Sequence, residues 1–469
     1  MNAKTEIRNS KSGVRGGPAA AGAENSLSRR AFLRRAAAAA AGPLILPASV
    51  FGANAPSKRI TVGFIGCGRQ TYFANIPGFL KVVGVQAVAV CDVDAWRMAE
   101  AKKLIEGAYA KANDGGFKGC ATYRDFRELL ADKSIDAVMI ATPDHWHVPM
   151  AVAAIRAGKD VALEKPITRH IDEGRLLVRE AVKHRRVFRV DSEFRSLEHM
   201  HRAAELVRND RIGRVRVVRT GSPKEVFPDE PETITAPPAG LDYDLWLGPA
   251  PKVDYMQKRV HAPQDLRSRP GWMRSLDYCD GMIANWGTHL NDIGQWGAGT
   301  ERTGPVAIKA GGKFHDGKVW NVLEHFDAWY QFANGIELFY QMGEPHVRFE
   351  GDKGWIHVNF AATKTSPERL TASDPAILKE RIGPEEIHFP FKSEKQDFID
   401  AVRSRGRTLE DEEVGQRTTS LCHLAHIAIQ LGGVKLAWDP EREVFTNNDA
   451  ANKLTKRPSM RAPWSFDTL

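Results

Sequence analysis

The sequence predicts an α/β protein whose N-terminal part is a doubly wound parallel sheet, and three observations support this fold class. Short hydrophobic runs alternate with helix-compatible segments from about residue 59 to residue 190. A glycine-rich turn, Gly66-Cys67-Gly68, follows the first run, and Asp92 ends the second. Strands and helices that alternate in this way form parallel sheets with helices on both faces.

The first strand leads into a turn that suits a phosphate group. Glycines let the backbone approach a pyrophosphate closely, and the N-terminus of a following helix favours its negative charge. Thr71 stands where the usual fingerprint has its third glycine, so a plain β-turn-α connection stays open. The residues predicted to contact a dinucleotide here are Gly66, Cys67, Gly68, Arg69 and Gln70.

The second strand ends in Asp92, which lies 24 residues after Gly68. This is near the expected position of the acid that binds the adenosine ribose of a dinucleotide. Asp92 and Asp94 would repel a 2′-phosphate, so NAD is predicted over NADP. Arg69 or Arg97 would accommodate that phosphate, so NADP stays open.

The stretch from Ala141 to Pro166 contains the next predicted helix and strand of this region and ends in Glu164-Lys165-Pro166. The hydrophobic run 136–140 predicts a buried strand, and the spacing of 148–157 predicts a helix that stops at Gly158. The next strand delivers Lys165 to the carboxyl edge of the sheet, where ligands bind in this fold class. A lysine beside a cofactor sheds its proton more readily than a solvated one, which suits proton transfer. From this motif alone, a surface lysine fits equally well.

A second chemical stretch covers residues 280–296. At helical spacing Asn285, His289 and Asp292 share one face. A histidine beside a carboxylate is the usual arrangement of a general acid or base near neutral pH. A helix face that satisfies its own polar contacts is the other interpretation.

Composition argues against two other classes of partner. The net charge is +8, but residues 1–55 carry eight Lys/Arg and two Glu, which leaves about +2 for the remainder. No nucleic-acid partner is therefore predicted, since a basic footprint is its first requirement. His145 and His147 lack a third ligand nearby in sequence, so no metal site is predicted. The five widely spaced cysteines are interpreted as structural.

Residues 1–55 are predicted to be a twin-arginine signal peptide. The run Ser28–Leu33 resembles the twin-arginine motif, an Ala-rich apolar segment follows, and 53–55 has a small-x-small cleavage pattern. The apolar segment spans only 16 residues and contains two prolines, so no permanent membrane span is expected. An uncleaved tether stays open. The expectation is export to the periplasm by the twin-arginine machinery.

The order of four motifs resembles the glucose–fructose oxidoreductase/inositol dehydrogenase/MocA (Gfo/Idh/MocA) family. The motifs are Gly-Phe-Ile-Gly-Cys-Gly, Val-Cys-Asp-Val-Asp, Ala-Thr-Pro-Asp-His-Trp-His and Glu-Lys-Pro, and the resemblance covers residues 59–469. It implies an N-terminal Rossmann domain over 59–190 and a C-terminal α/β domain over 191–469. In the latter, an open, largely antiparallel sheet would form one wall of the active site and often an oligomer interface, which implies a homo-dimer or tetramer.

The resemblance also implies roles for individual residues. Lys165 would lie near the nicotinamide and the substrate hydroxyl, Glu164 would contact the nicotinamide ribose, and Thr142 and His147 would lie beneath the cofactor. Many relatives carry Asp where this chain has Asn285, paired with the histidine. Because Asn cannot act as a base, the predicted catalytic groups are Lys165, His289 and Asp292.

Four residues are predicted to contact the substrate. The segment that contains Arg195 resembles one that borders the substrate in secreted, carbohydrate-related members of the family. Trp286 lies beside the predicted base and has a flat face suited to a sugar ring. The predicted contacts are Arg195, Asn285, Trp286 and His289.

The resulting hypothesis is an exported NAD(P)-dependent oxidoreductase that acts on a hydroxyl of a sugar, polyol or glycoside and holds its NAD tightly. One alternative is a redox-assisted glycoside lyase or hydrolase, in which transient oxidation acidifies the neighbouring carbon. NAD-dependent α-N-acetylgalactosaminidases, which work in this way, resemble the chain in leader and fold. Many of them carry a Glu-Val-Pro-like variant in place of Glu-Lys-Pro. A second alternative, motivated by Asn285, is an inactive sugar-binding member.

Overall fold

The computed structural model describes residues 59–112, 117–229, 233–362 and 367–469. These residues belong to one unit of the chain and build two large β-sheets. The predicted leader, residues 1–55, lies outside the described residues. Among the helices of the described ranges, none is both long and apolar enough to cross a membrane.

The first sheet is the predicted parallel sheet. Its six strands lie in the order β3-β2-β1-β4-β5-β6, and all neighbours are parallel. The strands are β1 (Ile60–Ile65), β2 (Val85–Cys91), β3 (Ala121–Tyr123), β4 (Ala137–Ile140), β5 (Asp160–Glu164) and β6 (Phe188–Asp191). The helices between them are α1 (Ile76–Leu80), α2 (Ala95–Lys111), α3 (Phe126–Ala131), α4 (His147–Arg156) and α5 (Ile171–His184). The strand order reverses between β1 and β4, so a ligand crevice is expected at their carboxyl ends.

Local sequence explains where several of these helices begin and end. The Asp94 carboxylate caps α2 by accepting the backbone N–H groups of Trp96 and Arg97 at 3.0 and 3.2 Å. The helix α4 ends just before Gly158, whose φ of +84° suits glycine. Residues 121–123 form the short edge strand β3, and α3 begins three residues later at Phe126.

The second sheet has nine strands in the order β13-β12-β11-β7-β10-β9-β8-β14-β15. Only β7 and β10 are parallel neighbours, so the expected largely antiparallel sheet is confirmed. The strands are β7 (Val215–Ser222), β8 (Pro305–Phe314), β9 (Leu323–Phe332), β10 (Glu337–Met342), β11 (His346–Gly351), β12 (Gly354–Asn359), β13 (Leu370–Ala372), β14 (Leu436–Asp439) and β15 (Val444–Phe445).

Helices that follow β6 in the chain pack against both sheets: residues 394–404 contact β6, and residues 198–208, 287–298 and 412–430 contact the second sheet. They are α6 (Glu198–Arg208), α7 (Tyr243–Leu247), α8 (Met282–Asn285), α9 (Gly287–Ala298), α10 (Glu394–Ser404), α11 (Glu412–Gln430) and α12 (Asp449–Leu454). Buried residues of α9 and α11, such as Leu290 and Leu421, share one core with Tyr330 of the sheet. The helical stretch predicted within 280–296 is divided at Trp286 into α8 and α9.

Candidate active site

A cavity of about 530 Å³ lies along the carboxyl ends of the parallel strands. Loops of the first sheet form one side, and residues that follow it in the chain, up to Phe360, form the other. Lining residues include Gly68, Asp92, Lys165 and His289, so the two predicted chemical stretches meet in one space.

The glycine turn is shaped by a close approach of two backbone segments. Gly66 has φ +87°, and a Cβ on it would lie 2.6 Å from the carbonyl oxygen of Ala141. A Cβ on Gly68 would meet nothing within 4 Å, although Gly68 lines the cavity. The Thr71 hydroxyl donates to the carbonyl oxygen of Gly66 at 2.5 Å, so the residue that departs from the fingerprint ties the turn together. The open side of the turn fits a pyrophosphate.

The turn residues contribute in different ways. Arg69 and Gln70 line the cavity, whereas Cys67 is fully buried and does not. Burial raises the pKa of the Cys67 thiol well above its ordinary value, so it is a packed thiol. Its backbone N–H donates to Asp92 at 2.6 Å. A side-chain contact of Cys67 with a dinucleotide therefore does not fit the geometry.

Asp92 is held in place by its two carboxylate oxygens. One accepts the N–H of Cys67, and the other accepts the N–H of Asp94 at 2.8 Å. Burial is the main cause that raises its pKa. Arg97, one of the two arginines considered for a 2′-phosphate, instead donates to the carbonyl oxygen of Asp265 at 2.7 Å. Its guanidinium is buried and committed to that contact, whereas Arg69 is exposed.

The loop after β4 places Thr142 and His147 against the cavity. The ring nitrogens of His147 lie 2.7 and 2.9 Å from the carbonyl oxygens of Pro166 and Thr142, and burial lowers its pKa to about 4. The Thr142 hydroxyl is buried and has no hydrogen-bond partner within the described residues. A cofactor group in the cavity would supply that partner, since buried hydroxyls are normally hydrogen-bonded.

Glu164 and Lys165 extend from the end of β5. The Glu164 carboxyl accepts from the amide of Asn75 at 3.3 Å, and burial together with the nearby Asp191 raises its pKa to about 8. The Lys165 ammonium donates to the main-chain carbonyl of Asn285 at 3.2 Å. It lines the cavity, and the peptide bond that follows it is cis. An ammonium has three donors, so two remain for a bound molecule.

His289 faces the cavity from α9 and is oriented by Ser192. Its Nδ1 lies 2.8 Å from the Ser192 hydroxyl, and its ring stacks on Phe194 with centroids 4.1 Å apart. Among the described residues the Ser192 hydroxyl has no other acceptor, so it donates to Nδ1 and leaves the ring proton on Nε2. Burial, and to a lesser degree Lys165, lowers the pKa of His289 well below its ordinary value. The neutral ring therefore offers an N–H donor to the cavity.

Family models match most of the described chain. The model described as an oxidoreductase family with an NAD-binding Rossmann fold matches residues 60–192, and the model of the same family's C-terminal alpha/beta domain matches residues 229–466. The chain belongs to the Gfo/Idh/MocA oxidoreductase family. The NAD-binding assignment of the first domain agrees with the open glycine turn and with Asp92 at the end of β2.

Individual relatives align with only part of this chain. A glycosyl hydrolase family 109 protein of Saccharopolyspora erythraea is 35% identical over 183 residues, which cover 34% of this chain and 38% of that protein. An α-N-acetylgalactosaminidase of Shewanella oneidensis is 32% identical over 126 residues, which cover 27% of each. The chain thus aligns with less than half the length of these relatives. The crystal structure of aldose-aldose oxidoreductase from Caulobacter crescentus complexed with glycerol shows the same fold, with TM-score 0.55, 16% identity, and coverage of 81% of this chain and 99% of that one.

Two further predicted site residues, besides Cys67, do not line the cavity. Asp292 is fully buried, and both of its carboxylate oxygens are bound by Arg195, at 2.7 and 2.6 Å. Arg195 also donates to the carbonyl oxygen of Leu409 at 2.8 Å. The catalytic role predicted for Asp292 and the substrate role predicted for Arg195 therefore do not fit the geometry. Their pair is a structural support behind His289.

The remaining predicted substrate contacts do reach the cavity. Asn285 and Trp286 line it at the break between α8 and α9. The Trp286 ring meets Phe194 and Phe360 edge-on, with centroids 6.1 and 5.3 Å away. The three rings form an aromatic wall of the cavity. Stacking of Trp286 on a sugar ring stays a prediction.

Sequence reasoning missed three polar residues at the site. Ser192 orients His289, and Asp144 and Glu193 line the cavity as carboxyl groups. Asp144 stands inside the motif that contains Thr142 and His147, so its position was a usable signal. Ser192 and Glu193 follow β6 directly, at the carboxyl edge where ligands bind.

Proposed function

We propose that the chain is an NAD(P)-dependent oxidoreductase that transfers hydride between a nicotinamide cofactor and a hydroxyl of a sugar, polyol or glycoside. One observation carries the proposal: a single cavity has an open glycine turn and Asp92 among its lining groups, together with Lys165 and His289. The first two suit a dinucleotide, and the last two suit an oxygen that gains or loses a proton. Membership of an NAD-binding oxidoreductase family supports this assignment.

Three features would hold the cofactor. The turn at Gly68 leaves room for a pyrophosphate, Asp92 would accept from ribose hydroxyls, and the unpartnered Thr142 hydroxyl would gain a hydrogen bond. When bound, the dinucleotide supplies a hydride acceptor or donor. NAD is proposed over NADP because Asp92 is negative when ionised and Arg97 is committed elsewhere.

Tight retention of the cofactor is part of the proposal. Residues 261–270 approach the ribose-binding strand end from the opposite side of the cavity. Nε2 of His261 lies 3.0 Å from the Asp94 carboxylate, and the carbonyl oxygen of Asp265 accepts from Arg97. These two contacts hold residues 261–270 against Asp94 and Arg97. Release of the cofactor would require both contacts to break.

At the chemical end, two N–H donors converge. The Lys165 ammonium and Nε2 of His289 would both donate to a substrate oxygen and stabilise the alkoxide that forms during oxidation. Asn285 lies beside them but cannot ionise. The aromatic wall at Trp286 would contact the apolar face of a sugar ring.

We also propose that the protein is exported and assembles as a dimer or tetramer. The proposal of export is based on the twin-arginine motif at Ser28–Leu33. The proposal of assembly is based on the open second sheet. An R29K/R30K double variant should stay in the cytoplasm during cell fractionation, whereas the wild-type chain should appear in the periplasm. Light scattering of the full chain would measure the assembly state.

A second candidate function is redox-assisted cleavage of a glycosidic bond without net oxidation. It is favoured by the names of the relatives, which include glycosyl hydrolase family 109 proteins and an α-N-acetylgalactosaminidase. Transient oxidation of a ring carbon would acidify its neighbour, and the Lys165 and His289 donors would serve both reactions.

One experiment separates the two functions. The purified full chain, loaded with NAD, is mixed with a panel of sugars, polyols and glycosides, while NADH absorbance and products by mass spectrometry are followed together. NADH with a ketone product supports the dehydrogenase, and bond cleavage without net NADH supports the second function. Lys165→Gln should abolish either activity, whereas Lys103→Gln, on an exposed face of α2, should not. Wild-type activity that survives Lys165→Gln would contradict both.

A further inference from the structure

The site as proposed has two donors and lacks a proton acceptor. His289 presents N–H to the cavity, the Lys165 ammonium is a donor, and Asn285 has no charge. Oxidation of a hydroxyl releases its proton, so some group at the site must accept it. Asp292 is unsuited because Arg195 binds both of its oxygens.

The positive charge of Lys165 acts to lower the pKa of three nearby carboxyl groups: Asp144, Glu164 and Glu193. Glu164 is bound by Asn75 and lies nearest the Asp191–Lys395 ion pair, whose N–O distance is 2.7 Å. Glu193 is partly exposed and lies toward the same pair. Asp144 differs from both.

Asp144 is a buried carboxyl whose hydrogen bond within the described residues comes from its own backbone N–H. It is only 5% exposed, yet it lines the cavity directly after β4, at the point where the strand order reverses. A carboxylate has about four acceptor sites, so this one hydrogen bond leaves capacity for a bound molecule. Among the described residues Asp144 forms no ion pair with Lys165, although Lys165 acts on its charge and both side chains line the cavity.

We propose that Asp144 is the catalytic base of this oxidoreductase, a proposal that rests on the proposed function. The substrate O–H bond breaks and its proton passes to an Oδ atom of Asp144, while Lys165 and His289 donate to the oxygen. The O–H electron pair forms the carbonyl bond as the neighbouring hydrogen leaves as hydride to the cofactor. In the reverse direction Asp144 returns the proton as a general acid.

The charges around Asp144 suit a group that both takes and gives a proton. Lys165 and Arg169 favour its ionised form, whereas burial and the nearby Asp280 oppose it. Burial is the largest effect and raises the pKa of Asp144 to about 7. The Cys279 thiol, whose own pKa is raised by burial, stays neutral beside it. A base with a pKa near the working pH exchanges protons most effectively.

The test compares Asp144→Asn and Asp144→Glu with the matched control Asp244→Asn, an exposed carboxyl outside the cavity. Each full chain is loaded with NAD and assayed on a substrate that the wild type oxidises. Asp144→Asn should lower kcat by about 100-fold or more, the range of general acid–base catalysis, with NAD affinity and KM little changed. Asp144→Glu should restore part of the rate with a shifted pH profile. Asp144→Asn with wild-type kcat and pH profile would overturn the proposal.

A second readout does not depend on turnover. Infrared difference spectra of wild type against Asp144→Asn should show a protonated-carboxyl band that titrates near neutral pH. If Asp144 is ionised throughout that range, the proposal fails. A wild-type chain that does not bind NAD in a fluorescence titration would instead contradict the proposed function, so the two failures are distinct.

Discussion

The Arg195 guanidinium donates two hydrogen bonds to the Asp292 carboxylate. Its Nε and Nη2 atoms lie 2.7 and 2.6 Å from the two carboxylate oxygens. Arg195 follows β6 and Asp292 belongs to α9, so the pair joins the first sheet to the helix that carries His289. The Arg195 guanidinium also lies over the ring of Trp296, 4.8 Å from its centroid. The pair therefore sets the distance between Ser192 and His289, which flank it on the two segments.

The first prediction is that this pair is structural. Asp292→Asn removes the carboxylate that binds the buried Arg195 guanidinium, which should lower the free energy of unfolding by about 3–5 kcal/mol. Denaturant unfolding measures this loss. The double variant Arg195→Met/Asp292→Leu should recover most of it, because both charges are gone. An Asp292→Asn variant with wild-type stability and no activity would instead favour the catalytic role that the sequence predicted.

The second prediction concerns the tautomer of His289. Ser192→Ala removes the donor to Nδ1, so the ring proton would distribute between both nitrogens. Losing one such hydrogen bond is worth about 1 kcal/mol, so kcat should fall roughly five- to tenfold. Nitrogen-15 NMR of the histidine ring reports the tautomer directly. The control is Ser196→Ala in the following turn, which should change neither readout.

The third prediction separates binding from folding at the glycine turn. A Cβ at Gly68 meets no protein atom within 4 Å, so Gly68→Ala should lower NAD affinity at least tenfold while the unfolding free energy of the cofactor-free chain stays unchanged. Gly66→Ala should instead destabilise the fold, by about 1–3 kcal/mol, because of its positive φ and the clash with Ala141. Calorimetric titration and denaturant unfolding of both variants give the comparison. Equal effects of the two substitutions on stability would contradict the assignment of Gly68 to the cofactor.

The parallel sheet could be predicted from local sequence because its signals are local. Hydrophobic runs, a glycine turn and an acid at a strand end each act within a few residues. The antiparallel sheet could be expected only from the family resemblance, since its strand order depends on pairings between distant segments. One of these, the parallel pair of β7 and β10, joins strands more than a hundred residues apart.

The site residues also divide into those with a local sequence signal and those that depend on distant segments. Lys165 and His289 were predicted because each stands in a recognisable motif. Asp292 was misassigned because helical spacing places it near His289, while its partner Arg195 lies 97 residues away in the chain. Asp144 was overlooked although it lies in a motif, because its burial beside the cavity becomes visible only in three dimensions.

The fourth prediction concerns His423, a buried histidine of α11. Its Nε2 lies 3.0 Å from the carbonyl oxygen of Thr168, and burial lowers its pKa from 6.5 to about 4. A group with a depressed folded-state pKa contributes stability above its unfolded pKa and loses it as the pH falls through the folded value. His423 should therefore remove about 3 kcal/mol of stability between pH 6.5 and pH 4, at about 1.4 kcal/mol per pKa unit.

The total stability of the chain is a poor measure of this effect. Asp144 and Glu164, with pKa values raised to about 7 and about 8, act in the opposite sense, because their contribution is present at low pH and lost as the pH rises. The informative quantity is the difference in unfolding free energy between wild type and His423→Gln, which keeps a donor for Thr168 and cannot titrate. That difference should shrink by about 3 kcal/mol as the pH falls from 6.5 to 4. A difference that stays constant would mean that His423 is protonated in the folded chain, and then the nearby Asp280 carboxylate, not burial, would set its charge.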